Sequence, residues 1–257
     1  MRNVQCRLNG YEIIAIIIGN CYFADMPDRQ NTAAGLVTNF AEFWDHTTGW
    51  HVIRTQKYLQ ALVEQLIKDG VYADELLSWN MDMIIPAVPF HDVGKISICQ
   101  NILKKPGKLT AAEFDIMKTH VQKGVEVIRI MGRYGYFSDF LDHARAFAAA
   151  HHEKWDGSGY PSGLKGQEIP LEGRIMAVAD VYDALISERP YKRAFSSEES
   201  ARIIIEGANK HFDPVLVDAF KKLINKFAAI ANDYKAKPPP YQDMNAILRQ
   251  QLSAVCA

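Results

Sequence analysis

The sequence predicts an all-α fold. Apolar residues recur at helical spacing in segment after segment, start and stop signals bracket those segments, and no apolar-polar alternation long enough for a strand occurs. The first helix carries Val52, Leu59, Leu62, Val63, Leu66 and Ile67 on one face, with Gly70 as its C-terminal stop. Thr110 with Glu113 forms a capping box ahead of a single stripe, Phe114, Met117, Val121, Val125 and Ile128. A third helix fits Ser138 to about His151 and a fourth Leu171 to about Ser187. A fifth starts at Ser196 with Glu199 as its box partner. Asp213 followed by Pro214 opens a sixth, which carries Leu216, Val217, Phe220, Leu223, Ile224 and Phe227.

Between the third and fourth helices, Lys154 to Pro170 holds Gly157, Gly159, Gly163, Gly166, Pro161 and Pro170, too much glycine for a regular element. It is expected to be a loop of defined turns. Pro86 and Pro89 should bend the chain as it approaches His91, since a helix-interior proline costs about 3 kcal/mol. Lys237 to Pro240 reads as a stiff linker, and Asp243 as the cap of a last amphipathic helix with Met244, Ile247, Leu248, Leu252 and Val255. The expected organisation is an extension over residues 1–35 without a motif, a main domain over 36–231, and the linker with its helix over 232–257.

Composition narrows the function classes. The chain has 257 residues, 48% of them hydrophobic and 23% charged, the balance of a globular protein. Lys+Arg 29 against Asp+Glu 30 leaves a net charge of -1, so no global field favours long nucleic acid or an anionic membrane. A small anionic ligand needs only a few local cations. The longest apolar run, Ile13 to Ile18, is far short of the about 20 residues that a membrane span needs, so insertion is not expected. Cys6, Cys21, Cys99 and Cys256 lack any C-x-x-C spacing and read as free thiols in a reducing compartment, the cytoplasm.

Histidine carries the chemical signal. Of the 8 histidines, His51, His91 (followed by Asp92), His120, His151 and His152 sit on or at the ends of predicted helices, and Asp180 follows on the fourth. A bundle of those helices can aim imidazoles and carboxylates into one centre. The mixed nitrogen and oxygen donors suit Fe or Mn, with Zn and Ni also admissible, and two metals use the set better than one because Asp92 can bridge. His143 and His211 read as structural or solvated, and His46 stands outside the constellation.

The segment His151-His152-Glu153-Lys154-Trp155-Asp156-Gly157-Ser158-Gly159-Tyr160-Pro161 resembles the signature of the HD-GYP phosphodiesterases. So do Ile169-Pro170, Arg174-Ile175, Asp180 to Leu185, and Arg189-Pro190-Tyr191-Lys192. Upstream, His91-Asp92-Val93-Gly94-Lys95, Ile102-Leu103 and Lys105-Pro106-Gly107 belong to the same resemblance, which runs from about Phe40 to Ala229. It implies an HD-domain helical bundle with a glycine-rich loop, a metal cluster, and hydrolysis of 3',5'-cyclic dinucleotides, chiefly cyclic di-GMP, with cyclic GMP-AMP the substrate of some members. His51, His91, Asp92 and Asp180 resemble the ligands of one metal, and Asp92, His120, His151 and His152 those of the other. Lys95 matches the lysine that holds a phosphate oxygen, and Tyr160, Asp183, Arg189 and Lys192 match substrate contacts. A diguanylate cyclase domain at the glycine-rich loop, and a second copy of the chain, are the partners this implies.

Two departures stand out. Some family members carry a third-metal Glu four residues before the first histidine ligand, where this chain has Thr47, so the expected cluster is binuclear. The second is the proline pair before His91. Two rival readings follow: another nucleotide phosphohydrolase on the same scaffold, which Tyr160-Pro161 speaks against, and a non-catalytic module that binds a cyclic dinucleotide or a protein partner.

Overall fold

The computed structural model describes residues 50–133, 138–188 and 193–235. The expected extension, Thr47, Arg189, Lys192, the proline linker and the last helix lie outside them.

Ten α-helices and two 3-10 turns make up the described chain, and no strand occurs among the described residues, where the only β pairing is an isolated bridge from Ala208 to Phe212. Helix α1 (Trp50–Lys68) buries Leu59, Leu62, Val63 and Leu66 as its periodicity predicts. It stops where expected, with Gly70 at φ 69 and the Val71 N–H bonded back to Leu66, the left-handed closure that favours glycine. Short helices α2 (Ala73–Ser78) and α3 (Met81–Ala87) follow.

Pro86 lies within the last turn of α3, and Pro89 opens a 3-10 helix, Val88–Ser97. The expected bend is therefore a change of helix type. With about three residues per turn, a 3-10 helix eclipses positions three apart. Asp92 and Lys95 thus fall on one line, and Lys95 Nζ lies 2.8 Å from Asp92 Oδ2.

After α4 (Gln100–Leu103), the expected single stripe is two helices, α5 (Ala111–Lys118) and α6 (His120–Gly132). The capping box of Thr110 and Glu113 is formed, yet α5 buries none of its residues and leaves Phe114 46% exposed. Helix α6 buries His120, Val121, Val127 and Ile128 against the 3-10 helix and α7 (Ser138–Ala150). The crossing with the 3-10 helix is backbone to backbone: a Cβ on Gly94 would overlap the His120 carbonyl oxygen and the Gly124 nitrogen.

Helix α8 (Leu171–Ile186) is buried on almost every side, which explains its near-continuous apolar sequence. It packs on α1, α7, α9 (Ser197–Glu206) and α10 (Pro214–Lys235). Ser196 and Glu199 complete their capping box, and Asp213 caps α10 by accepting the Val215 N–H at 2.9 Å. The second oxygen of Asp213 accepts from Arg174 and Tyr72, tying α8 and the α1–α2 turn to that cap. Helix α10 runs past the expected boundary at residue 231 to Lys235. Tyr58, Tyr182, Phe220 and Phe227 pack as a ring cluster where α1, α8 and α10 meet. No described helix is long and apolar enough to cross a membrane.

Candidate metal centre

The helix ends converge. His51 comes from the first turn of α1, His91 and Asp92 from the 3-10 helix, His120 from the start of α6, and His151 and His152 from just beyond α7. They form two donor sets that share Asp92. One is Asp92, His120, His151 and His152; the other is His51, His91 and Asp92, and within each set the donor atoms lie within 4.8 Å of one another. Asp92 divides its oxygens between the sets: Oδ2 faces His91 Nε2 at 3.3 Å, while Oδ1 faces His120 Nε2 at 3.4 Å and His151 Nε2 at 3.8 Å.

Local backbone aims three of the rings. Nδ1 of His91, His120 and His151 lies 2.9, 2.7 and 2.9 Å from the carbonyl oxygens of Val88, Met117 and Phe147. A carbonyl only accepts, so each Nδ1 carries the proton and each Nε2 presents a lone pair. Those three Nε2 atoms, with Asp92 Oδ1, are buried without a hydrogen-bond partner. Four such atoms pointing at one another are costly in an apolar interior unless something cationic joins them. Imidazole and carboxylate donors in this arrangement fit a divalent metal.

Electrostatics differs between the sets. Burial lowers His151 to about 3, with the neighbouring imidazoles of His91 and His120 adding to it, and burial likewise lowers His120 and His152. That side is neutral and ready to ligate. At His51 burial works against charge, but the hydrogen bond and charge of Asp183, with Asp180 and Asp92 behind it, raise it to about 9. Burial also opposes the charge on Asp92, and Lys95 and His91 outweigh it, holding the carboxyl well below the usual range.

Asp180 stands beside the second set, 3.7 Å from His51 Nε2. Lys95 and Asp92, each 20% exposed at the side chain, open the centre to solvent. Tyr160, on the glycine-rich loop, stacks on His152 with centroids 4.7 Å apart.

Asp183 does not stand where a substrate contact is expected. It is 1% exposed, one oxygen accepts from Arg54 Nε, and the other lies 2.8 Å from Arg54 Nη2 and 2.9 Å from His51 Nδ1. A carboxylate engaged in this way orients the imidazole of His51 and is turned away from solvent. Arg54 was not singled out from the sequence, although its position three residues after His51, one turn along the same helix, was a usable signal. Glu153 was also missed: 2% exposed, it accepts the N–H groups of Ser162 at 2.7 Å and Leu164 at 3.1 Å. His143 is structural, paired with Glu172 at 2.9 Å, and His211 stacks on Phe212.

A helical bundle whose helix ends deliver histidines and a shared aspartate to one buried centre defines a class of metal-dependent helical domains. The chain belongs to the HD domain family, whose model matches residues 47–216, and its glycine-rich motif resembles that of the HD-GYP proteins. It is 48% identical over 211 residues to a cyclic di-GMP phosphodiesterase of Vibrio cholerae, covering 82% of this chain and 43% of that protein. A 3'3'-cGAMP-specific phosphodiesterase 2 of the same organism is 41% identical, over 80% of this chain and 37% of its own length. The chain thus spans less than half the length of these curated relatives. Among solved structures, Bd1817, an HDG"Y"P protein from Bdellovibrio bacteriovorus, shares the fold with a TM-score of 0.53 at 14% identity, over 87% of this chain and 75% of that one.

Proposed function

We propose that this domain opens a phosphodiester bond of a 3',5'-cyclic dinucleotide, cyclic di-GMP or 3'3'-cyclic GMP-AMP, giving the linear dinucleotide. The observation that carries the reading is the pair of donor sets joined through Asp92, with Lys95 Nζ 2.8 Å from its Oδ2 at the solvent-facing edge. The named activities of the relatives at 48% and 41% identity support the substrate class.

His51, His91, Asp92 and Asp180 would hold one divalent metal and Asp92, His120, His151 and His152 the other, Fe or Mn before Zn or Ni on the donor chemistry. Bound there, the pair would supply a nucleophile at neutral pH and neutralise phosphoryl oxygens that otherwise repel it. Lys95 brings a compact positive charge to the edge where phosphate charge grows. Tyr160 offers an aromatic wall beside the centre. Arg189 and Lys192 are assigned to the substrate on the family resemblance: a guanidinium grips a second phosphate or a guanine edge bidentately.

Pro161, Ser162 and Gly163 are exposed on the outer side of the loop, the surface we assign to a diguanylate cyclase domain. Anaerobic purification, metal quantification and chromatography of the products from both cyclic dinucleotides test the enzyme reading. Two metals per chain and a linear product support it. A metal-loaded protein that binds either dinucleotide without cleaving it would replace the enzyme with a binding module.

A further inference from the structure

His152 differs from the other four histidines of the centre. His91, His120 and His151 are each oriented by a backbone carbonyl, and His51 by Asp183. Among the described residues the ring of His152 makes no hydrogen bond. What touches it is aromatic: His151 at 4.0 Å between centroids, His120 edge-on at 5.1 Å, and Tyr160 stacked at 4.7 Å with an interplanar angle of 29°. His151 and His120 are themselves ligand candidates, which leaves Tyr160 as the support from outside the donor set.

Tyr160 is in turn held. Its N–H bonds the His152 carbonyl at 3.2 Å, folding the loop back over the double histidine. Gly159 makes that approach possible, since a Cβ there would overlap the Lys154 nitrogen. On the far side of the turn, the buried Glu153 carboxylate accepts from Ser162 and Leu164, one and three residues beyond Pro161. Phe114 of α5 meets the Tyr160 ring edge to face at 6.2 Å.

We propose that the glycine-rich loop completes the metal centre as well as the substrate cleft: Tyr160 is a positioning residue that fixes the imidazole of His152 for its metal, and Glu153 is the residue that fixes Tyr160. An imidazole free to rotate about χ2 must surrender that freedom on ligation, and a ring already stacked has surrendered it. Outer partners of a metal ligand are commonly worth 10-fold to 100-fold in affinity. The proposal rests on reading His152 as a ligand, and it is independent of which dinucleotide is cut.

The test is Mn(II) binding to the metal-free protein without substrate, followed by equilibrium dialysis and calorimetry, with circular dichroism to check the fold. Wild type should take up two Mn(II), and His152→Ala should weaken one of the two sites. Tyr160→Ala should weaken that same site by about tenfold or more. Tyr160→Phe, which keeps the ring, should stay within about twofold of wild type. Glu153→Gln should move the same site in the same direction as Tyr160→Ala, and Tyr160→Ala should add little on a His152→Ala background. Tyr160→Ala binding two Mn(II) with wild-type affinity would overturn the positioning role while leaving the metal centre intact. Wild type taking up neither Mn(II) nor, under anaerobic conditions, Fe(II), Zn(II) or Ni(II) would instead overturn the ligand assignment, and this proposal with it.

Discussion

Arg54 and Asp183, 129 residues apart in sequence, form a buried bidentate pair that closes around His51. Without Arg54, Asp183 would be a desolvated carboxylate with the His51 imidazole and a long Ser187 hydroxyl contact as partners; with the guanidinium it is fixed in orientation and held ionised, below the usual carboxylate range despite its burial. Arg54→Ala should therefore cost about 3–5 kcal/mol, the usual consequence of breaking a buried ion pair. It should also lower metal affinity at the His51 side by about 10-fold or more while the three-imidazole side stays loaded. Thermal denaturation and metal per chain read both effects. Full occupancy of both sites in Arg54→Ala would show that the pair serves the fold alone.

Asp92 offers the sharpest test of a shared centre. Replacing it with Ala should reduce the content of both metals and abolish turnover, because its two oxygens face different donor sets. An Asp92→Ala protein with two metals per chain and normal activity would exclude a bridge.

Two glycines of the same region should respond oppositely to Ala. At Gly94 the new methyl meets backbone atoms of His120 and Gly124 that cannot give way, so a loss of about 1–3 kcal/mol or more is expected, with metal content falling as the helices separate. At Gly132 it meets only the Leu141 side chain at 3.4 Å, and Gly132→Ala should be neutral or stabilising by up to about 1 kcal/mol. Urea unfolding of the two variants compares them directly.

Acid titration should leave the start of α5 intact longer than an ordinary carboxylate would. The Glu113 carboxyl is lowered to about 2 by Lys105 and the Thr110 N–H. A depressed native value means its contribution is whole above the usual carboxylate range, declines as pH falls below that range, and is gone once pH has passed about 2. Hydrogen exchange of the Phe114 N–H, bonded to the Thr110 carbonyl at 2.8 Å, should follow that course. In Glu113→Gln the protection should be lower and flat with pH; an unchanged pH course in that variant would reassign the effect.

Thr47, where the HD-GYP resemblance implies a Glu in some members, bears on the number of metals. A neutral hydroxyl competes poorly with water for a divalent ion, so two metals are expected in the natural chain and a rise towards three in Thr47→Glu. Anomalous scattering from three well-occupied sites in the unmodified protein would contradict this.

Much of the architecture was readable because its signals are local. The capping boxes at Thr110 and Ser196, the stop at Gly70 and the start at Asp213 each involve residues within a few positions of one another, and each has the expected bonds. That six side chains would gather was legible because the histidines and Asp92 sit at helix ends in long motifs, and the structure brings the six within two clusters. What escaped was non-local. Asp180 and Asp183 lie three residues apart on α8, but which groups wait opposite them depends on how α1 docks, and there Arg54 captures Asp183. The split of the expected stripe into α5 and α6 at Thr119 was likewise hidden, since a continuous apolar period is compatible with a break that only packing reveals. The prolines announced a bend; that the bend would be a 3-10 turn aligning Asp92 with Lys95 is a matter of backbone geometry no period encodes.

The carbonyl partners of His91, His120 and His151 lie three or four residues away along the chain, whereas the partner of His51 lies 132 residues away. The centre is thus assembled at two ranges. The three-imidazole side draws on one stretch of chain between Asp92 and Tyr160, in which the rings of His120 and His151 are aimed by their own turns and that of His152 stacks on Tyr160 of the loop that follows, so short loop closures bring them together. The His51 side exists only once two helices distant in sequence, α1 and α8, have come together. A metal held on the first side reports that the middle of the chain has folded; a metal held on the second certifies that the whole bundle has closed.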